Sequence, residues 1–135
     1  MAARYIVAVL EDDEDHRELI AAVLRDAGHI ALLFEAPQSL PPAWRGDAII
    51  TDTFSLHYDS AVIADAIATL RRKFSAAIVL VSAHRNVVRD YELLGADAVV
   101  SKPFEIDTLV ATVERAILKV RGQTTCRPRL GLSPR

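Results

Sequence analysis

The chain alternates short, nearly uninterrupted apolar runs with longer segments whose apolar residues recur at helical spacing. A short apolar run bounded by polar residues is typical of a strand that is buried on both faces of a parallel sheet. The pattern predicts five strands, at residues 5–10, 30–34, 47–51, 77–81 and 98–100. Because right-handed crossovers place the intervening helices on both faces, we predict an α/β fold with a doubly wound, five-stranded parallel sheet.

Most segments between the strands are predicted to be helical. The first helix ends at Gly28, a residue suited to the position after a helix, and the others span about residues 60–73, 86–94 and 105–120. The side chains expected to face the sheet are Leu19, Ile20, Val23, Leu24 and Ala27, then Val62, Ile63, Ile67 and Leu70, then Ile106, Leu109, Val110, Val113 and Ile117. Residues 37–46 contain three prolines and can hold at most a helical turn or two.

One domain accounts for residues 1–121, and residues 122–135 are interpreted as a separate basic tail. This tail contains two prolines and no periodic pattern, so we predict that it is disordered. The net charge of the whole chain is −2, and the arginines of residues 121–135 leave the remainder more acidic than that. An acidic body argues against direct binding of nucleic acid.

The sequence shows no membrane or secretion signal. Its apolar runs are far shorter than the roughly 18–20 residues that cross a bilayer, so we expect no membrane insertion. The N-terminus lacks the basic and long apolar regions of a signal peptide. One cysteine, Cys126, precludes an internal disulfide and fits a reducing compartment, and we predict a cytoplasmic protein.

Polar side chains stand at the ends of four predicted strands. Glu11 and Asp12 follow the first strand, Asp52 closes the third, and Ser82 and Lys102 follow the fourth and fifth. The carboxyl ends of parallel strands share one edge of the sheet, where such folds bind ligands. Clustered carboxylates repel one another unless a cation is present, and Mg²⁺ prefers carboxylates, water and phosphate oxygens. A carboxylate nucleophile can then accept a phosphoryl group.

These residues lie within short motifs whose order and spacing are specific. The motifs are Val-Leu-Glu-Asp-Asp at 9–13, Asp52 at a strand end, Val-Ser-Ala at 81–83, Gly-Ala-Asp at 95–97 and Lys-Pro-Phe at 102–104. With them, the chain resembles the receiver domain of two-component response regulators over about residues 4–120. The resemblance implies a flavodoxin-like sheet with strand order 2-1-3-4-5.

The resemblance also implies roles for the residues at this edge. Asp52 would accept a phosphoryl group from a sensor histidine kinase or a histidine phosphotransfer protein. Glu11, Asp12, Asp52 and the backbone carbonyl of Phe54 would hold Mg²⁺. The protein would catalyse only its own phosphorylation and dephosphorylation, and would otherwise not be an enzyme.

Further implications concern the phosphoryl group and the output. Ser82 and Lys102 would bind the phosphoryl oxygens, and the Lys102–Pro103 peptide bond is cis in the family. A stand-alone receiver would then bind a downstream protein through the family's fourth helix, fifth strand and fifth helix. Here that face would include Arg89, Tyr91, Val99 and residues 114–119.

The sequence departs from the family pattern at several positions. Leu56 and Ser60 stand where the family has proline and glycine, and Val99 stands where it has an aromatic switch residue. Phe54 and His84 occupy positions that tune dephosphorylation. Because a bulky Phe54 would hinder an attacking water molecule, we expect a long-lived phosphoryl state.

Other interpretations of these residues are open. Each strand-end carboxylate, taken alone, fits a polar residue that merely starts a loop. The altered loop after Asp52, together with Val99, would suit a pseudo-receiver that binds proteins independently of phosphorylation. A phosphatase with an aspartate nucleophile ranks last, because Phe54 stands where its acid is needed. Outside this region, His16, His29 and His57 are predicted to be solvated, and Trp44 to pack in the second connection.

Overall fold

The computed structural model describes residues 3–52 and 59–131, and its side chains are described as far as residue 122. The strands are β1 (Ile6–Leu10), β2 (Ile30–Phe34), β3 (Ala48–Asp52), β4 (Ala77–Ser82) and β5 (Ala98–Ser101). The helices are α1 (Glu14–Asp26), α2 (Ser60–Lys73), α3 (Arg85–Asp90) and α4 (Ile106–Gly131), with a 3-10 turn at Pro37–Ser39. All five predicted strands are therefore present, and residues 37–46 hold a single short turn as expected.

The strands form one parallel sheet in the order β2-β1-β3-β4-β5, which confirms the predicted topology. Its register aligns Asp52 with Val81, and Ser82 with Ser101. The strands β1, β3, β4 and β5 consequently end side by side. We call this end of the sheet the carboxyl edge, and the end at which the strands begin the amino edge.

Alternate residues of the strands face opposite sides of the sheet, and each side has its own buried core. On one side, Val7, Val9, Ile50 and Val79 pack against α1 and α4. On the other side, Leu10, Ile49, Ile78 and Leu80 pack against α2 and α3. Because both faces of the central strands are covered, those strands are almost wholly apolar, as is typical of parallel sheets.

The helix ends follow local sequence signals. The Asp13 side chain accepts a hydrogen bond from the backbone N–H of His16 at the start of α1, and Asp59 caps α2 in the same way. Gly28 and Gly95 adopt φ values of +97° and +99°, in the region that favours glycine, where α1 and the turn after α3 end. The predicted stop signal at Gly28 is confirmed. The third helix, predicted to continue to residue 94, ends at Asp90, and Gly95 instead closes the turn that follows it.

Several predictions about the helices need correction. Leu19, Val62 and Ile106 are 49%, 58% and 58% exposed, although the apolar pattern predicts that they face inward. On each of these helices the buried stripe is therefore narrower than the apolar pattern. α4 also runs to Gly131, beyond its predicted end near residue 120 and into the segment predicted to be a disordered tail.

Among the described residues, no helix is long and apolar enough to span a membrane.

The amino edge is held together by paired charges and buried hydrogen bonds. The backbone N–H of Tyr5 donates to His29 Nδ1 at 3.1 Å, and His29 Nε2 lies 2.7 Å from a carboxylate oxygen of Glu114 on α4. Asp47 accepts from the backbone N–H of Ile6 and pairs with Arg121. The prediction that His29 is solvated is wrong, because α4 and Tyr5 cover it and leave it only 3% exposed.

Candidate functional site

The acidic residues predicted to meet at the carboxyl edge do so. Asp52 is the last residue of β3, and Glu11 and Asp12 follow β1, the neighbouring strand. One carboxylate oxygen from each of the three lies within 4.8 Å of the others. This spacing lets all three carboxylates reach a single bound cation.

Lys102 reaches the same cluster from the end of β5. Its Nζ lies 3.5 Å from Glu11 Oε2 and 3.6 Å from Asp52 Oδ2. The backbone N–H of Lys102 donates to the carbonyl of Ser82 at 2.9 Å, so the chain that carries the lysine is tied to β4. The peptide bond between Lys102 and Pro103 is cis, as the resemblance implies.

Glu11 is the buried member of the cluster, with 1% exposure. Burial raises the pKa of its carboxyl from 4.5 to about 7; the hydrogen bond from the backbone N–H of Asp13 opposes this shift, and the negative charge of Asp52 adds to it. Glu11 Oε2 has no hydrogen-bond partner among the described residues. The Lys102 ammonium, 3.5 Å from this oxygen, supplies one positive charge to three carboxylates, and a divalent cation would offset the negative charge that remains.

Asp52 and Asp12 are the accessible members. The Asp52 side chain is 20% exposed, so one of its oxygens can be approached from solvent. Asp12 is more exposed still, at the start of the turn into α1. The donor set therefore fits Mg²⁺, which keeps several waters and binds through a few carboxylates, with room left for a phosphate oxygen.

Ser82 closes β4 beside Asp52 and is 1% exposed. Its Oγ accepts a hydrogen bond from the backbone N–H of His84 at 3.0 Å. His84 is the residue immediately before α3. The hydroxyl at the site is thus bonded to the first turn of the helix that follows it.

Two further residues position the cluster. Arg17 on α1 donates from Nη1 to the backbone carbonyl of Glu11 at 2.8 Å. The backbone N–H of Asp13 donates to Glu11 Oε1 at 3.2 Å, and the hydrogen bond from His16 N–H lowers the pKa of the Asp13 carboxyl itself. The sequence gives no signal for this role of Arg17, because the backbone partner of a basic residue on an amphipathic helix cannot be read from the local pattern.

The predicted tuning residues are only partly described. Phe54 lies outside the described residues, and so does Leu56, so the carbonyl ligand and the loop geometry stay predictions. Val99 is half-buried on β5 and packs on the same side of the sheet as Tyr91. These two residues line a groove of about 400 Å³ with Arg115 and Lys119 of α4. This groove coincides with the predicted output face, on which α3 and α4 take the places of the family's fourth and fifth helices.

No protein-family model matches the sequence, and the comparison with curated proteins gave no match. Solved structures do resemble it. NtrX from Brucella abortus, in complex with ADP, superposes with a TM-score of 0.74 at 22% identity over 93% of this chain and 30% of its own. Full-length FixJ from B. japonicum gives 0.71 at 24% identity over 90% of this chain and 61% of its own. This chain therefore spans less than two thirds of either protein.

A shorter protein matches over nearly its whole length. The chemotaxis response regulator CheY4 of Vibrio cholerae superposes with a TM-score of 0.63 at 21% identity, over 86% of this chain and 99% of its own. These likenesses are likenesses of fold, and the strand order of the sheet agrees with them. The chain has the receiver fold of response regulators.

Proposed function

We propose that this protein is a phosphorylation-dependent signalling switch, in which Asp52 accepts a phosphoryl group from the phosphohistidine of a sensor histidine kinase or a histidine phosphotransfer protein. The observation that carries the proposal is the convergence of Glu11, Asp12 and Asp52 within 4.8 Å, with the Lys102 ammonium 3.6 Å from Asp52. Neither a stable core nor a simple turn needs two further acids around one partly exposed carboxylate.

The proposed reaction is an in-line displacement at phosphorus. An Asp52 carboxylate oxygen attacks, the bond from phosphorus to the histidine nitrogen breaks, and that nitrogen leaves with its electron pair and takes up a proton. Glu11, Asp12 and Asp52, with the Phe54 carbonyl, would hold Mg²⁺. When bound, Mg²⁺ supplies positive charge that offsets the charge on the phosphoryl oxygens.

Lys102 and Ser82 act on the product. After transfer, the Lys102 ammonium is close enough to pair with a phosphoryl oxygen in place of its contacts with Glu11 and Asp52. The Ser82 hydroxyl can donate a hydrogen bond to a second phosphoryl oxygen. Its oxygen atom can meanwhile keep or lose the hydrogen bond that it accepts from the backbone N–H of His84. The protein catalyses only its own phosphorylation and dephosphorylation. We propose that it does so in the cytoplasm.

The switch follows from the link between Ser82 and α3. Phosphorylation adds roughly −1.5 to −2 charges at the end of β3. Movement of the Ser82 side chain toward those charges would disturb its hydrogen bond with His84 at the start of α3. The groove between α3, β5 and α4, lined by Tyr91, Val99 and Lys119, is the surface on which a downstream protein would detect the change.

The test is direct phosphorylation by acetyl phosphate with and without Mg²⁺, followed by intact-mass measurement. We expect one added phosphoryl group that depends on Mg²⁺ and is absent in Asp52→Ala. Lys102→Ala should retain the acceptor but lose most of the yield. Glu14→Gln, which changes an exposed acid on α1, is the matched control and should react as the parent does.

The alternative is a pseudo-receiver whose binding surface is constitutively formed. Val99 favours it, because a branched aliphatic side chain on β5 cannot rotate between buried and exposed positions as an aromatic ring does. A protein that gains no mass with Mg²⁺ and acetyl phosphate, and does not bind beryllofluoride, would be of this second kind.

A further inference from the structure

A second concave surface lies at the amino edge, away from the proposed phosphorylation site. It encloses about 520 Å³ between the segment that leads into β3 and the end of α2. The residues that line it are Trp44, Arg45, Gly46, Arg71, Arg72, Lys73, Phe74, Ser75 and Ala76. We call it the basic groove, because four of these residues are cationic and none of the described residues that line it is acidic.

Three of the four cations form no ion pair among the described residues. Arg71 is held by the carbonyl of Gly95 at 2.6 Å and by Asp97 at 3.0 Å. Arg45, Arg72 and Lys73 are exposed, and among the described residues none of them forms an ion pair. Arg45 donates to the carbonyls of Pro42 and Trp44, and Arg72 donates to the Thr69 hydroxyl, so neither cation is neutralised by a described acid. Three such cations are grouped in one groove of a protein whose net charge is negative.

Helix capping explains part of this cluster but not all of it. Arg72 and Lys73 stand in the last turn of α2, where cations offset the helix dipole. Arg45 comes from a different element, the connection before β3, and its guanidinium donates to the carbonyl of Trp44 at 3.0 Å. The dipole of α2 therefore does not explain why Arg45 lies in the groove, because Arg45 is not in the last turn of that helix.

The wall of the groove contains an unsatisfied donor. Trp44 is 9% exposed, its ring is set edge-on to Phe74 at 5.7 Å, and its Nε1 has no hydrogen-bond partner among the described residues. Gly46 is required beside it, because an added Cβ would come within 2.1 Å of the indole. A buried N–H that lacks an acceptor destabilises a protein, and Trp44, as part of the groove wall, is placed to report on a ligand bound there.

The geometry points to a binding site for a small ligand that carries at least two phosphate groups. Guanidinium groups bind phosphate oxygens in pairs, and an ammonium adds a point charge. The volume lies within the range of small-molecule sites and exceeds what one inorganic phosphate needs. This inference does not depend on phosphorylation of Asp52.

The sole tryptophan of the chain makes the test specific. We would titrate the full chain with pyrophosphate and with ADP, without divalent cations, and follow Trp44 fluorescence, with calorimetry as a second measurement. We expect a saturable change that sodium sulfate at equal ionic strength does not reproduce. Equal affinities would identify the diphosphate as the recognised group, and tighter binding of ADP would identify a nucleotide.

Variants decide whether the groove is responsible. The double variant Arg72→Gln, Lys73→Gln should weaken binding about tenfold or more, and Arg45→Gln should also weaken it, whereas Arg45→Lys should retain part of the affinity. Arg85→Gln, an exposed cation at the start of α3, is the matched control and should bind as the parent does. The proposal is wrong if the double variant binds equally well, if adenosine alone gives the same response, or if polyglutamate binds more tightly than pyrophosphate.

Discussion

Charged side chains are arranged differently at the two ends of the sheet: like charges cluster at the carboxyl edge, and opposite charges pair at the amino edge. At the carboxyl edge, three carboxylates lie within 4.8 Å of one another, and a buried oxygen of Glu11 has no hydrogen-bond partner among the described residues. At the amino edge, His29 faces Glu114, and Asp97 accepts from the N–H of Ile78 and pairs with Arg71. A cluster in which like charges outnumber their counter-charges lowers stability and is typical of functional sites, whereas matched pairs hold elements together.

This contrast predicts that variants at the amino edge destabilise the fold and leave phosphorylation intact. Variants at the carboxyl edge should impair phosphorylation or metal binding without destabilising the fold. The basic groove is the exception at the amino edge, because its cations are not matched. The four predictions that follow test the contrast, beginning with the largest expected effect.

His29→Ala should lower the free energy of unfolding by about 3 kcal/mol. The variant removes a buried ring that stacks on Tyr5 and leaves the Tyr5 N–H without its acceptor. Urea unfolding measures the loss, and the yield from acetyl phosphate should stay within twofold, or about 0.4 kcal/mol, of the parent. His16→Ala, at an exposed position, should change stability by less than about 0.5 kcal/mol. A stability loss in His29→Ala no larger than in this control would contradict the role given to the amino edge.

Asp97→Ala should lower the free energy of unfolding by about 2 kcal/mol, because the buried N–H of Ile78 loses its acceptor. The pair with Arg71 is partly exposed and contributes less. Asp97→Asn retains an acceptor oxygen and should recover about half of the loss. If Asn and Ala were equally destabilising, the charge of Asp97 rather than its hydrogen bond would be the stabilising feature.

Glu11→Gln should stabilise the metal-free protein by about 1 kcal/mol at pH 8, less than its full pKa shift implies, because nearby water and Lys102 relieve part of the cost. Between its ordinary pKa of 4.5 and the folded value of about 7, the unfolded chain releases the Glu11 proton first. The folded state then binds more protons, so its stability falls as pH rises through this window.

Thermal unfolding at several pH values, with and without Mg²⁺, measures both effects of Glu11. The parent should be stabilised more by Mg²⁺ at pH 8 than at pH 6, because the ligand must be deprotonated. Glu11→Gln should lose this response and the pH dependence, while Glu14→Gln keeps both. A Glu11→Gln protein that Mg²⁺ stabilises as strongly as the parent would remove Glu11 from the metal site.

Of the four variants, Asp90→Asn should have the smallest effect on unfolding, within the scatter of the measurement. Its pair with Arg89 is local, and Arg89 is 69% exposed, so the carboxylate gains little from the contact. Chemical unfolding, under the conditions used for the other variants, measures the change in the free energy of unfolding. A loss comparable to that of Asp97→Ala would show that pairing alone, rather than burial of a backbone partner, explains the stability of the amino edge.

The sequence predicted the fold well because its signals are local. Apolar runs without polar interruption define the five strands, and Gly28, Gly95 and the Asp13 and Asp59 caps define helix ends through contacts within a few residues. It also predicted which residues meet around Asp52, since parallel topology places all strand ends at one edge. It failed for His29, whose burial depends on Glu114, a residue 85 positions away along the chain.

The sequence by itself determined the elements, their order and the chemical groups at the carboxyl edge, because periodicity and strand-end polarity follow from the chain's local pattern. Only the tertiary structure decided the burial of Glu11, the backbone contact of Arg17 and the meeting of Arg45 with Arg72 and Lys73 in one groove. These properties depend on which distant segments cover a side chain. Burial by distant segments determines how strongly a charge is desolvated and which partners it can contact, and no local pattern encodes either property.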